Sequence, residues 1–361
     1  MVFIEIQNRD GFYNGKRYGA IPFGDSASSG ILEKVWLLDS NGNKVLLVKK
    51  GILAESLEIE GEAIFSQYAE NLDLDVVKYK PEIMRETMSF KEGGNLYNVV
   101  VCANYLIDGM TQKEDYTAAK LFNIYRRNCE YESRKSGTTV VNTNSVKGYE
   151  QMLRTLYSNY DGLEKTILSV KKLAVLDYLT QQSDRHDNNT SFIIDDKNKK
   201  IRLAPIYDSG RIFSLFNYNE EKEKFKILGA ERAKSNEMWI RKGWDAFLSG
   251  KSPYLGIREG TLSYMNWQLH RPHPAQTDMD GLVEFEQELA SMINADDNLK
   301  SFYKKAKKAD FKQIISTVEK GFSDYLDDDL ADYITAKFEH RVKRLDRCLI
   351  KQNQLNKAEV K

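Results

Sequence analysis

Ser183-Asp184-Arg185-His186-Asp187-Asn188-Asn189, followed after a short connection by Ala204-Pro205-Ile206-Tyr207-Asp208-Ser209-Gly210, is the stretch on which the reading of this chain turns. An aspartate, an asparagine five positions on and an aspartate opening a glycine-containing turn stand in the order that phosphoryl-transfer sites use. In such a site Asp184 takes a proton from the acceptor. The Asn189 amide and the Asp208 carboxylate hold the Mg²⁺ ions that bridge the phosphates of ATP, oxygen ligands being what this cation prefers.

The flanks fit that reading. Residues 161 to 181 carry a long helical pattern that delivers the chain into the SDRHDNN loop. Ser191 to Ile194 and Ile201 to Ala204 read as strands around the hairpin Asp195-Asp196-Lys197-Asn198-Lys199-Lys200. Asp184 and Asn189 thus fall after a helix and before a strand, and Asp208 after the next strand, an arrangement able to bring all three to one sheet edge. Any one of these polar residues alone reads equally as a turn former.

Upstream, Lys34 to Leu38 and Lys44 to Lys49 alternate like strands around Ser40-Asn41-Gly42-Asn43, a hairpin signal. Ile59 to Leu74 reads as a helix. Lys49 at a strand end and Glu62 on that helix make a candidate ion pair to position the α and β phosphates. Gly24-Asp25-Ser26-Ala27-Ser28-Ser29-Gly30, bounded by glycines and dense in hydroxyls, is a candidate phosphate-covering loop through Gly24, Ser26, Ser28 and Ser29, although it is no formal G-x-G-x-x-G. Lys34 is a further candidate phosphate contact. Tyr97 to Ala103 reads as a buried strand, and backbone groups from Val101 through Ala103 to Asn104 are candidates to meet adenine.

Composition bounds the rest. The 361 residues are 41% hydrophobic, ample for folded cores, and 53 basic residues balance 53 acidic ones. No net field therefore recommends direct nucleic-acid binding or an anionic membrane. No stretch approaches the ~20 apolar residues of a bilayer span. Three separated cysteines, Cys102, Cys129 and Cys348, suit free thiols, and with no apolar leader the expectation is a cytoplasmic protein, a secreted effector remaining open.

Competing motifs fail on chemistry. Gly250-Lys251-Ser252 lacks the first Walker glycine, Asp245 standing there, and Pro253 follows at once. His270, His273 and His340 supply no matching pair for a His186-Asp187 metal phosphohydrolase. Lys304, Lys305, Lys307 and Lys308 read as a solvated helix face. Residues 134 to 148 read as a loop. The last eighty residues read as helices, with Leu330, Ile334, Phe338, Leu345 and Leu349 at helical spacing.

Together, DRHDNN, the strand hairpin and APIYDSG resemble the HipA-like kinase family, most specifically from Leu173 to Phe213, and more distantly the phosphatidylinositol 3/4-kinase-like catalytic core. The resemblance is to the short form without an extra N-terminal subdomain. It implies an α+β, two-lobed protein-kinase-like fold, with a β-rich N-lobe over 1–104 and a mainly helical C-lobe over 105–361. It implies ATP and Mg²⁺ as cofactors, Asp184 as base, Asn189 and Asp208 as metal ligands, and Lys49 with Glu62 at the phosphates. A protein Ser or Thr is the implied acceptor. A serine of the 24–30 loop is an implied site of autophosphorylation. Two alternatives stand beside this: a phosphoinositide or small-molecule kinase, and an inactive kinase fold used as a binding module for an antitoxin-like partner.

Overall fold

The computed structural model describes residues 3–7, 10–21, 33–50, 56–86, 95–105, 107–108, 111–112, 115–136, 146–182, 184–185, 187–234, 277–322 and 326–359. The candidate loop with Gly24, Ser26, Ser28 and Ser29 lies outside these residues, as do Ser183, His186, Gly250-Lys251-Ser252, His270 and His273. Among the described residues no helix is long and apolar enough to cross a membrane.

The strands of the N-terminal region obey a period of two. Strands β1 (Phe3–Gln7), β2 (Asp10–Tyr13), β3 (Lys16–Ile21), β4 (Glu33–Leu38), β5 (Lys44–Lys50), β6 (Lys80–Glu86) and β7 (Asn95–Ala103) form a closed barrel in the order β1-β2-β3-β4-β5-β7-β6. Alternate side chains, among them Ile4, Ile6, Tyr13, Val35, Leu37, Val48, Val99 and Val101, fill its interior. The hairpin expected around Asn41-Gly42 is present, Gly42 taking φ +80° while Asp39 Oδ1 accepts the N–H groups of Asn41 and Asn43. A second hairpin turns at Asn14-Gly15, both with positive φ, as a two-residue turn of matching twist requires. A parallel pairing of β1 with β6 closes the barrel.

Between β5 and β6 runs α1 (Glu58–Glu70), the helix expected from Ile59 onward. Two later segments join the barrel's compact unit, which comprises Met1–Lys113, Ser209–Lys224 and Asp310–Thr335. There Tyr68 of α1 packs its ring 5.1 Å from that of Phe311, and Phe213 meets Phe311 edge-on at 5.4 Å.

The second compact unit comprises Glu114–Asp208, Phe225–Ala309 and Ala336–Lys361. A small sheet of β10 (Asp115–Thr117), β11 (Ser191–Asp195) and β12 (Lys200–Leu203), in that order, contains the hairpin read from the sequence. A two-stranded ribbon, β8 (Ile107–Asp108) with β9 (Thr111–Gln112), precedes it in the chain. Among the described residues the helices after α1 are α2 (Ala118–Ser136), α3 (Val146–Tyr157), α4 (Leu163–Leu179), α5 (Tyr218–Lys234), α6 (Thr277–Ala295), α7 (Asp297–Ala306), α8 (Phe311–Glu319) and α9 (Asp328–Glu359), of which α8 belongs to the first unit and α5 and α9 have residues in both. The loop expected over 134–148 is corrected at both ends, which are helical, while 137–145 lie outside the described residues. α2 runs on through Ser136 and α3 begins at Val146, where Val146, Tyr149, Met152 and Leu153 bury an apolar stripe that outweighs the local polarity.

Candidate active site

Lys49 sits on the outer face of the barrel because Val48 beside it points inward. Its side chain is nevertheless buried, at 2% exposure, and Nζ lies 2.6 Å from Oε1 of Glu62, itself 1% exposed. The ammonium also stands 4.6 Å above the Tyr79 ring, a cation–π contact. The register sets Lys34 of β4 directly across from Lys49. Two lysines facing each other on one sheet face repel, and the Glu62 carboxylate offsets part of that charge. Cys102 marks the same surface: burial pushes its thiol up to about 12 while Lys49 and Lys34 pull it down.

The second carboxylate oxygen of Glu62 accepts the backbone N–H of Ser209 at 3.1 Å. Sequence reasoning missed what allows this approach. Gly61 stands inside the continuous helix α1, where a Cβ would lie 2.2 Å from the carbonyl oxygen of Gly210, and one on Gly210 would lie 2.4 Å from the Glu58 carbonyl. Two backbones touch where side chains are absent. Arg211 completes the junction with its Nε 2.6 Å from Glu58 Oε1.

Val101 turns its side chain into the barrel, and the register sets it against Val48 on one side and Lys80 on the other. Ala103 lies beyond the start of β6, with only β5 alongside it in the barrel. Asn104 donates its N–H to the Val45 carbonyl at 2.9 Å, so by the alternation of an antiparallel ladder the polar groups of Ala103 point away from β5.

In the second unit, α4 delivers the chain into the loop that carries Asp184 and Asn189. Asn189 donates from Nδ2 to the Asp184 carbonyl at 2.9 Å, so Oδ1 is the side-chain oxygen that could meet a cation. Gln182, buried, accepts the Asp184 N–H through Oε1 at 3.4 Å and donates from Nε2 to the Asp208 carbonyl at 3.3 Å. Tyr207 donates its hydroxyl to the Asn188 carbonyl at 2.7 Å. Arg185, a surface-type residue by composition, is fully buried and bonds the carbonyls of Asn189 and Tyr207 as well as Asp177. Burial pushes the Asp177 carboxyl up to about 6, against the pull of that guanidinium. Asp187, within the same loop, accepts the Tyr149 hydroxyl at 2.7 Å, and burial with this negative neighbour raises the tyrosine well above its usual range.

Asp208 adopts φ +55°, the left-handed region that non-glycine residues seldom occupy. Such a backbone persists only where its surroundings hold it, and it occurs disproportionately at functional positions. The structure thus brings Asp184, Asn189 and Asp208 into one hydrogen-bonded assembly, and joins Lys49 to Glu62 in another.

The donor set fits Mg²⁺. Asn189 and Asp208 offer oxygen, and among the described residues no group of three or more His, Cys, Asp or Glu converges to hold a metal unaided. A cation bound through one or two protein oxygens, completing its shell with phosphate and water, is how Mg²⁺ accompanies nucleotides.

No family model and no curated protein matches this sequence. Solved structures do. The Helicobacter pylori proinflammatory kinase CtkA superposes with a TM-score of 0.55 at 14% identity, over 93% of this chain and 96% of its own. HipA of Shewanella oneidensis, solved with HipB and operator DNA as a toxin–antitoxin system, gives 0.46 at 15% identity, over 90% of this chain and 65% of its own. At such identity the likeness is one of fold, and the resemblance to HipA-like kinases carried by DRHDNN and APIYDSG is met at that level.

Proposed function

We propose that the chain is an ATP- and Mg²⁺-dependent kinase that transfers phosphate to a Ser or Thr hydroxyl of a protein. The observation that carries the reading is the divided carboxylate of Glu62, one oxygen on buried Lys49 and the other on the N–H that follows Asp208. A buried ion pair is costly to build, and a hydrophobic pair of similar volume would serve stability as well. Its retention on a surface already cationic through Lys34 is explained by a polyphosphate to be bound.

In this reading Lys49, held by Glu62, contacts the α and β phosphates, with Lys34 adding charge. The polar groups of Ala103 meet the adenine edge. Asn189 and Asp208 would hold Mg²⁺, which would supply neutralisation of the phosphate charge during transfer. Asp184 accepts the hydroxyl proton of the acceptor. The bonds from Gln182, Arg185 and Tyr207 fix these groups before substrate arrives, and positioning with charge neutralisation supplies most of the acceleration. A protein acceptor is favoured over a lipid because no basic or apolar membrane-facing stripe is evident in the sequence.

The test is incubation with γ-labelled ATP, Mg²⁺ and cell lysate, with Asp184→Ala as control. Label on protein, retained as phosphoserine or phosphothreonine and absent with the variant, is the expected result. Label confined to lipid would move the acceptor class, and no turnover at all by folded wild-type protein would remove the kinase reading.

A further inference from the structure

Arg185 joins the two segments that carry the proposed metal ligands. Its Nη1 donates to the carbonyl of Asn189 at 2.9 Å and to that of Tyr207 at 2.8 Å. Asn189 is the first proposed ligand, and Tyr207 is the residue before the second. The opposite edge of the guanidinium faces Asp177 on α4, with Nε 3.2 Å from Oδ2 and Nη2 3.4 Å from Oδ1. Both side chains have zero exposure.

A planar fork anchored along one edge has its other edge fixed in direction, which a lysine ammonium cannot reproduce. The loop of Asn189 and the strand end leading to Asp208 therefore meet at a separation dictated by one rigid group, seated on α4. α4 is itself held by packing, since Leu173, Ala174, Leu176 and Tyr178 beside Asp177 are all buried.

We infer that Arg185 is a positioning residue that sets the spacing between the Asn189 and Asp208 segments, with Asp177 as its anchor. This rests on the reading of those two residues as ligands of nucleotide-bound Mg²⁺. Partners that orient metal ligands change affinity by about 10–100-fold when removed, without touching the ion themselves.

The experiment uses full-length protein as wild type, Arg185→Lys, Asp177→Asn and Asp208→Ala. Mn²⁺ binding is titrated by electron paramagnetic resonance with a non-hydrolysable ATP analogue present, and binding of the analogue alone is measured in EDTA. Circular dichroism establishes folding for each. Arg185→Lys is expected to keep metal-free analogue affinity and to lose Mn²⁺ affinity by about 10–100-fold. Asp177→Asn, which keeps the guanidinium and the shape of its anchor, loses less in the same direction. Wild-type Mn²⁺ affinity in Arg185→Lys, with Asp208→Ala impaired, overturns the role of Arg185 and leaves the ligand assignment standing. Wild-type affinity in Asp208→Ala overturns the assignment, and the inference with it. Should Arg185→Lys not fold, the comparison passes to Asp177→Asn, where unchanged Mn²⁺ affinity in folded protein is the overturning result.

Discussion

Arg185 and Asp177 form an ion pair from which solvent is wholly excluded, eight residues apart across the end of α4. The pair makes a helix terminus into a foundation for the loop beyond it. The residues assigned to chemistry stand on that foundation, and their substitution is expected to affect transfer more than folding.

Asp184→Ala and Asp208→Ala are each expected to lower phosphate transfer by about 100-fold or more, the scale of losing a general base or a principal charge partner. Asp208→Ala also removes the Mg²⁺-dependent part of nucleotide binding. Steady-state transfer assays and nucleotide titrations with and without Mg²⁺ check both, and full activity in the two variants would sink the assignment.

Breaking the Lys49–Glu62 pair from the Glu62 side is expected to cost more than breaking it from the Lys49 side. Glu62→Leu leaves both a buried ammonium and the Ser209 N–H without the carboxylate, whereas Lys49→Met removes the ammonium from Glu62 and from the Tyr79 ring but leaves the carboxylate its bond from Ser209. A single break in a buried pair costs about 3–5 kcal/mol. The double substitution recovers stability and stays inactive. Urea unfolding of the four proteins gives the comparison.

Gly61→Ala opposes two magnitudes. In a free helix the change gains about 1 kcal/mol. Here the methyl would lie 2.2 Å from the Gly210 carbonyl oxygen, and forced overpacking costs about 1–3 kcal/mol. The expected sign is destabilising. A rise in the unfolding midpoint would show that α1 can slide away from Gly210.

Glu60 makes stability depend on pH. Burial pushes its carboxyl from 4.5 up to about 7, with the bond from Asn98 opposing, and Oε2 has no hydrogen-bond partner among the described residues. The folded state therefore keeps the proton to higher pH than the unfolded chain. Nothing is lost below the unfolded value of 4.5, and about 3 kcal/mol is lost as pH rises through about 7. Glu60→Gln is expected to flatten that dependence and to stabilise the protein at about pH 8, as denaturant midpoints at acid and alkaline pH would register.

The stretch from Gly24 to Gly30, read as a phosphate-covering loop from the sequence alone, carries a separate expectation. Phosphopeptide mapping after incubation with MgATP is expected to find phosphate on Ser26, Ser28 or Ser29, abolished by Asp184→Ala. Unmodified peptide from an active preparation would exclude this site of self-modification.

The parts read correctly from the sequence share one property, which is that their signals are local. Asn41-Gly42 between alternating runs gives a hairpin, and the helical spacing before SDRHDNN gives α4, because turn chemistry and periodicity act over a few residues. Asn14-Gly15 carries the same turn signal and could have revealed β2 and β3. The pairing of Lys49 with Glu62 was open to reading because a strand and the next helix bring them together across thirteen positions. Gln182 and Arg185 gave no such signal. A glutamine and an arginine beside a polar loop look solvated until the surrounding chain buries them.

The sequence by itself determined which groups the chain carries and in what order, two acids and an amide around a hairpin with a lysine and a glutamate upstream, since these are properties of the covalent chain and its nearest neighbours. Tertiary structure alone decided the closure of the barrel by β1 on β6, the contact of Gly61 with Gly210 and the burial of Arg185 against Asp177. Each depends on packing or exclusion of water around the finished fold, and a periodic pattern of side chains does not encode how closely two distant backbones come to lie.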